Sequence, residues 1–141
     1  MALIEIRNFK KSFGNKLVHS DVTFYVKKGE CLGLVGGSGA GKSVILRSLI
    51  GLEKPDSGII EIDGVDITKL NENELISVRK KVAYAFQGGA LFDSQSVYDN
   101  LAYPLREHTK LSEASIRTKI VAQLTEFGLA DALELFPSEL S

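Results

Sequence analysis

The chain has 141 residues, a single cysteine and a formal net charge of −1, from 17 basic and 18 acidic side chains. This length suits one domain, or part of one, with its own hydrophobic core. The balanced charge argues against bulk attraction to nucleic acid or anionic lipid, and one cysteine excludes a disulfide framework. No apolar run approaches the roughly 20 residues of a membrane span, so we expect any membrane connection to come through a partner.

Alternating sequence patterns near the start predict strands. Apolar and polar residues alternate over residues 3–9 and again over residues 21–26, which is typical of half-buried strands. Residues 13–16 are expected to form the turn between them. A further strand is expected over residues 30–35, with Cys31 as a buried thiol within it.

A glycine-rich motif follows at residues 36–43. It has the pattern G-x-x-x-x-G-K-S, and a helix is predicted directly after it, over residues 41–50. Glycines allow a tight loop whose N–H groups turn inward, and the N-terminus of the helix adds the positive end of its dipole. Lys42 would reach the β- and γ-phosphates of a nucleotide, and the Ser43 hydroxyl would bind Mg²⁺. The alternative is a glycine-rich connection that binds nothing.

The segment after this helix is interpreted as a hairpin. Gly51 predicts the end of the helix, and residues 57–63 alternate before the Asp63-Gly64 pair. An apolar strand that ends in an acid can also hold Mg²⁺. However, Glu61 breaks the apolar run that a buried parallel strand should show, so we reject that interpretation.

Gln87 is the second candidate site residue. Asn71 predicts a capped helix through Arg79, and residues 82–86 are then expected to form a buried parallel strand that ends at Gln87. Ligands collect at the carboxyl ends of strands in open α/β sheets, so Gln87 is expected near Ser43, Mg²⁺ and the γ-phosphate. Without the glycine-rich motif, Gln87 would be interpreted as a polar residue that merely ends a strand.

Residues 90–141 are predicted to be mostly helical. Ser96 and Asp99 form a capping pair for a short helix that Pro104 ends. Ser112 predicts a longer helix with an apolar stripe that is expected to face a core. That stripe consists of Ile116, Ile120, Leu124 and Phe127. A last helical stretch of one or two turns is expected over residues 131–136, ended by Pro137.

The predicted elements divide the chain into two parts. Residues 1–89 are expected to form a nucleotide-binding core with an antiparallel β subdomain, and residues 90–141 an incomplete helical subdomain. His19 and His108 stand apart from other metal-ligating residue types, so both are interpreted as structural.

Phe13, the motif at residues 36–43 and Gln87 together resemble the nucleotide-binding subunits of ABC transporters. In that family an aromatic residue at the place of Phe13 stacks on adenine, although hairpin packing would equally explain Phe13 from its spacing alone. A glutamine at the place of Gln87 links the Mg²⁺ site to the membrane subunit. Residues 89–92 and 97–109 resemble the Mla-type ATPase, which powers phospholipid traffic together with a lipid-binding Mce-type partner.

The resemblance implies a P-loop NTPase fold of the α/β class, with an antiparallel β subdomain, an incomplete parallel core sheet and a helical lobe. It implies ATP and Mg²⁺ as cofactors, with Ser43 and Gln87 at the metal. The implied partners are a membrane-embedded permease, a second copy of the chain and the Mce-type protein, at the inner face of the cytoplasmic membrane, without nucleic acid. The implied nucleotide-binding residues are Phe13, Gly36, Gly37, Ser38, Gly39, Ala40, Gly41, Lys42, Ser43 and Val44.

The chain departs from the family after Leu140-Ser141, which resembles the first half of a Leu-Ser-Gly-Gly signature. The family's remaining catalytic residues, an acidic strand end, a glutamate and a switch histidine, lie downstream of that signature. We therefore expect a truncated polypeptide that hydrolyses ATP negligibly by itself and associates through an unpaired sheet edge. A nucleotide-binding module that never hydrolyses is the alternative. A small P-loop kinase would need an arginine-rich lid, for which Arg106 and Arg117 are too scattered.

Overall fold

The computed structural model describes residues 2–140, which fall into two compact units. The first unit spans residues 2–84 and the second residues 85–140. Over the described residues, no helix combines the length and the apolar character that crossing a membrane requires. The division of the chain at residue 89, made from the sequence, stays a prediction.

The first unit is built on an antiparallel sheet with the strand order β2-β1-β3-β4. These strands are β1 (Ala2–Phe13), β2 (Lys16–Lys27), β3 (Ser57–Ile62) and β4 (Val65–Asp66). Gly14 and Asn15 form the turn of the first hairpin, and Asp63 and Gly64 form that of the second. The predicted strands and turns are confirmed here, and so is the rejection of β3 as a parallel Mg²⁺-binding strand, because β3 is antiparallel to both neighbours.

Two helices pack with this sheet. Helix α1 (Lys42–Leu49) and helix α2 (Glu72–Arg79) share one buried cluster with the strands. A short 3-10 turn at Ile67–Lys69 belongs to the same cluster. The buried members are Ile6, Phe9, Ile45, Ile60, Ile62, Ile67, Leu75 and Val78. Asn71 caps α2 with a complete capping box, as predicted.

The second unit is helical. It consists of α3 (Val97–His108), α4 (Glu113–Glu126) and 3-10 turns at Ala130–Ala132 and Pro137–Glu139. Its core contains Val97, Tyr98, Ala102, Ile116, Ile120 and Leu124. The α/β class is thus confirmed, with an antiparallel sheet and helices.

Two predicted parallel strands are wrong. Residues 30–35 and 82–86 have no strand structure, and every ladder among the described residues joins β1, β2, β3 and β4. A strand exists only when a neighbour supplies its hydrogen bonds, which an apolar run in the sequence does not guarantee. Consequently Cys31 is exposed instead of buried, and Val35 is 98% exposed.

Three predictions in the second unit also need correction. Pro104 does not end α3, which continues to His108. Phe127 lies outside the apolar stripe of α4 and is 70% exposed, because the helix ends at Glu126 and Gly128 turns the chain with φ +69°. The stretch 131–136 is a single 3-10 turn at Ala130–Ala132, and Pro137 begins another turn instead of ending one.

Candidate functional site

The glycine-rich loop runs directly into helix α1. Gly39 and Gly41 have φ values of +78° and +87°, in the left-handed region that favours glycine. The Gly41 carbonyl begins the helix, since it accepts hydrogen bonds from Val44 N at 2.9 Å and Ile45 N at 3.3 Å. The loop therefore presents the unpaired end of a helix, as the motif predicts.

Most amides of this loop have no acceptor within the protein. Ala40 N donates to Gly37 O at 3.3 Å. Among residues 2–140, the amides of Ser38, Gly39, Gly41, Lys42 and Ser43 donate to no protein group. A set of free N–H groups at a helix N-terminus, in the field of its dipole, is suited to binding an anion.

Lys42 spans the same loop. Its Nζ donates to Gly36 O at 2.7 Å and to Gly37 O at 2.8 Å. An ammonium group has three N–H donors, so one remains for an anionic ligand. The Ser43 side chain is exposed in the first turn of α1. A cation and a hydroxyl thus lie at consecutive positions beside the free amides.

A cleft of about 310 Å³ connects this loop with the first hairpin, which is in the size range of a small-molecule site. Its lining residues are Phe13, Lys16, Val18, Gly39, Ala40, Gly41, Lys42, Ser43 and Val44. Phe13 is 47% exposed at the end of β1, so it does not pack as a hairpin core residue. Lys11 Nζ lies 5.0 Å from the centroid of the Phe13 ring. The structure therefore brings Phe13 and the glycine-rich loop to one cleft.

A second cleft in the first unit has a different character. It measures about 360 Å³, and its lining includes the carboxylates of Glu5, Glu61 and Asp63 with Lys28 as the single basic residue. This acidic lining disfavours a phosphate. In the described part of the chain, no group of three or more histidine, cysteine, aspartate or glutamate residues could hold a metal ion. The cleft beside the glycine-rich loop, which Lys42 lines together with the free amides, is therefore the better candidate for an anion.

Sequence reasoning missed Lys16 and Val18, which line the cleft, and His19, which contacts the loop from β2. The His19 Nε2 atom is 3.1 Å from Gly41 O. The Phe9 ring meets the imidazole edge-on, at 5.6 Å between centroids. Only the fold brings His19 to Gly41, 22 positions along the chain, so no local sequence pattern could have revealed this contact.

Gln87 belongs to the second unit. It lies exposed in a turn with Gly88, directly after the irregular segment 82–86. Its proximity to Ser43 and to a metal ion stays a prediction.

Two arginines of the second unit converge on Tyr98. The Arg106 guanidinium carbon lies 5.6 Å and that of Arg117 5.2 Å from the centroid of the Tyr98 ring. Arg106 pairs with Glu113 and Asp99, and Arg117 pairs with Glu134 at 3.0 Å. The arginines are thus closer together than their sequence spacing suggests. Both are bound by carboxylates, which does not favour a phosphate-binding lid.

This network shifts the pKa values of its members. Hydrogen bonds from Arg106 and from Tyr98, the latter at 2.6 Å, lower the pKa of Glu113 from 4.5 to about 2. The same bond to Glu113 raises the pKa of the Tyr98 hydroxyl. Both shifts favour a charged Glu113 and a neutral Tyr98 at neutral pH.

Comparison with known proteins identifies the family of this chain. The family described as ABC transporter matches residues 19–141. The chain is 46% identical over 138 residues to the probable ribonucleotide transport ATP-binding protein Mkl of Mycobacterium leprae, covering 98% of this chain and 40% of that protein. It is 42% identical over 139 residues to the intermembrane phospholipid transport system ATP-binding protein MlaF of Haemophilus influenzae, covering 99% and 53%.

A further relative, MlaF of Escherichia coli K12, is 38% identical over 139 residues, covering 99% of this chain and 52% of that protein. The resemblance to Mla-type ATPases is therefore confirmed. The chain spans about half or less of the length of these curated relatives.

Solved structures agree with the sequence relatives. The dimeric bacterial ABC transporter cassette MJ0796 matches with a TM-score of 0.87 and 27% identity, covering 98% of this chain and 63% of the cassette. The same cassette bound to ADP and Pi, in a post-hydrolysis state, matches with a TM-score of 0.86. On the family match, the relatives and the phosphate-binding loop, the chain belongs to the ABC transporter family.

Proposed function

We propose that this chain is the ATP-binding part of an ABC transporter subunit and that it binds MgATP in the cleft beside α1. The free amides from Ser38 to Ser43, with the Lys42 ammonium across them, carry this proposal. They fit the negative charge of a triphosphate, because donors, helix dipole and cation all face one loop. Phe13 at the other end of the cleft fits an adenine ring.

The residues present suit Mg²⁺ in its nucleotide-bound form. Mg²⁺ commonly takes few protein ligands and completes its coordination with phosphate oxygens and water. The exposed Ser43 hydroxyl would supply one ligand, and we propose Gln87 as a second contact. When bound, the ion neutralises developing charge on the phosphates. Lys42 and the loop amides orient the phosphate chain whether or not the ion is bound.

The proposed cargo is phospholipid. This rests on the names of the MlaF relatives and on the resemblance of residues 89–92 and 97–109 to Mla-type ATPases. The Mkl relative is named for ribonucleotide transport, so the names of the relatives point to two classes of cargo. A transporter that carries this chain should move phospholipid between vesicles when MgATP is present. MgATP-dependent uptake of ribonucleotide without lipid movement would contradict the lipid assignment.

The proposed assembly has two copies of the subunit on a membrane-embedded permease, with an Mce-type lipid-binding partner. In this arrangement the subunit is peripheral, at the cytoplasmic face of the inner membrane. The dimeric form of the similar cassette supports pairing of two copies. Cross-linking of the subunit in membranes should capture the permease and a second copy together.

Lys42→Ala tests nucleotide binding directly. Loss of the ammonium removes a charged hydrogen bond to the phosphates, so the affinity for MgATP should fall at least about tenfold. Isothermal titration calorimetry with MgATP measures the change. Lys110→Ala, at an exposed position in the second unit, is the matched control and should bind like the unaltered chain. Equal affinities of the two variants would overturn the proposal.

A further inference from the structure

We propose that His19 is a positioning residue for the nucleotide, because its imidazole fixes the peptide group between Gly41 and Lys42. The inference rests on the proposed binding of MgATP at this loop. It adds a residue from the hairpin, outside the glycine-rich motif, to the determinants of phosphate binding. Its basis is the 3.1 Å contact between His19 Nε2 and Gly41 O.

The direction of this contact defines the protonation of His19. A carbonyl oxygen only accepts hydrogen bonds, so the Nε2 atom must carry a proton in this pair. The imidazole therefore donates to Gly41 O, which also receives Val44 N at 2.9 Å and Ile45 N at 3.3 Å. Three donors converge on one carbonyl and restrict its rotation.

Fixing this carbonyl also fixes an amide that faces the ligand. The C=O of Gly41 and the N–H of Lys42 belong to one planar trans peptide unit, in which they point in opposite directions. The Lys42 amide has no acceptor among residues 2–140. An imidazole that holds the carbonyl on one side thus directs the free N–H toward the other side. A preorganised donor of this kind gains affinity, because less ordering remains to be done on binding.

The fold leaves His19 little freedom to leave this position. Its ring packs edge-on against Phe9, a fully buried core residue. A Cβ at Gly41 would lie 2.4 Å from His19 Nε2 and 2.5 Å from Val18 Cγ1, so β2 is in direct contact with the loop. The same hairpin supplies Phe13 and Lys16 to the cleft. Strands β1 and β2 therefore contribute residues both where the base would bind and where the phosphates would bind.

Two amide substitutions separate positioning from packing. A glutamine amide nitrogen can occupy the place of Nε2 and donate to Gly41 O, whereas the asparagine amide is one methylene shorter and falls short. Both remove the aromatic contact with Phe9, and they differ from each other by one methylene and by the hydrogen bond to Gly41 O. We expect His19→Asn to weaken MgATP binding about fivefold and His19→Gln to stay within about twofold of the unaltered chain. His108→Asn, in the second unit, is a control that should change nothing.

The measurements are MgATP titration by calorimetry and thermal melting of each variant without nucleotide. Positioning requires that the Asn variant binds MgATP more weakly than the Gln variant at a temperature where the melting curves show both to be folded. Equal affinities of these two variants, with binding retained by the unaltered chain, would overturn the role of His19 alone. No MgATP binding by the folded, unaltered chain would overturn the proposed function and the role of His19 together.

Nuclear magnetic resonance of the unaltered chain provides a test that does not depend on the folding of variants. The His19 imidazole should show the Nε2-protonated form at neutral pH, and its Nε2–H signal should shift when MgATP is added. A ring protonated only at Nδ1, or an Nε2–H signal that does not shift when MgATP is added, would contradict the proposal.

Discussion

Gly41 is the residue at which the phosphate-binding loop and strand β2 meet. Its φ of +87° and the closeness of His19 and Val18 leave no room for a side chain. Gly41→Ala should therefore destabilise the first unit by about 1–3 kcal/mol, because a left-handed alanine is strained and its Cβ pushes β2 away. It should also weaken MgATP binding, since the first amides of α1 shift with the loop.

Gly33→Ala is the matched control for this substitution. Gly33 does not have a positive φ, and a Cβ at this position would have no heavy atom within 4 Å. The Gly33→Ala substitution should therefore change the free energy of unfolding by less than about 0.5 kcal/mol. Urea unfolding of both variants measures the difference. Equal free energies of unfolding of the two variants would show that β2 does not lie close enough to Gly41 in solution to exclude a side chain.

Phe13 is predicted to recognise the base and not the phosphates. Stacking on an aromatic ring contributes about 0.5–1.5 kcal/mol, so Phe13→Ala should weaken MgATP binding by about two- to tenfold. Binding of tripolyphosphate, which has no base, should stay the same. Phe127→Ala is a suitable control because Phe127 is 70% exposed on the second unit. An equal loss of affinity for ATP and for tripolyphosphate would mean that Phe13 stabilises the loop and does not contact the base.

At the scale of elements, the Glu113 carboxylate connects the start of α4 to α3 through hydrogen bonds. Glu113 begins α4 and accepts hydrogen bonds from Arg106 and Tyr98 of α3, which lower its pKa to about 2. A carboxyl whose pKa is lowered on folding stabilises the fold above its unfolded pKa, near 4.5, and loses that contribution as the pH falls toward 2. The second unit should therefore lose stability over this pH window.

Glu113→Gln isolates this contribution. The amide does not titrate, so the variant should be less stable than the unaltered chain at pH 7, and the difference should shrink as the pH falls from 4.5 to 2. Thermal melting at each pH, monitored by the circular dichroism signal of the helices, measures this difference in stability. A difference that is constant with pH would show that Glu113 acts through packing and not through its charge.

The elements also show what the sequence can and cannot predict. Alternation identified β1, β2 and β3, because each has one face toward a core, and capping residues located α2 and α4. Residues 30–35 and 82–86 are not strands, contrary to expectation, because the pairing of a strand depends on distant parts of the chain that a local pattern does not describe. Pro104 was misjudged for a similar reason. Hydrogen bonds from Val97 N and Tyr98 N to the segment after α4, with the burial of Ala102, hold α3 despite its proline.

At the scale of the whole molecule, two kinds of site residue differ in how readily sequence reveals them. The loop at residues 36–43 is contiguous in sequence, so its motif alone predicts the free amides, the Lys42 ammonium and the Ser43 hydroxyl. Lys16 and Val18 reach the same cleft, and His19 reaches the Gly41 carbonyl, only through the fold of the first hairpin. Phe13 was identified by resemblance, and the structure supplied the cleft that relates it to the loop.

The last prediction concerns the difference between binding and hydrolysis. The family resemblance implies several groups for catalysis, and Lys42, Ser43 and Gln87 are three of them. Phosphoryl transfer also requires a second carboxylate for Mg²⁺ and a group that orients water. Among residues 2–140, no carboxylate lines the cleft beside α1, so these residues by themselves should bind MgATP but release phosphate at a rate no higher than Lys42→Ala does. A coupled phosphate-release assay at saturating MgATP measures this rate for both proteins. Steady-state hydrolysis that Lys42→Ala abolishes would contradict the prediction and show that these residues suffice for turnover.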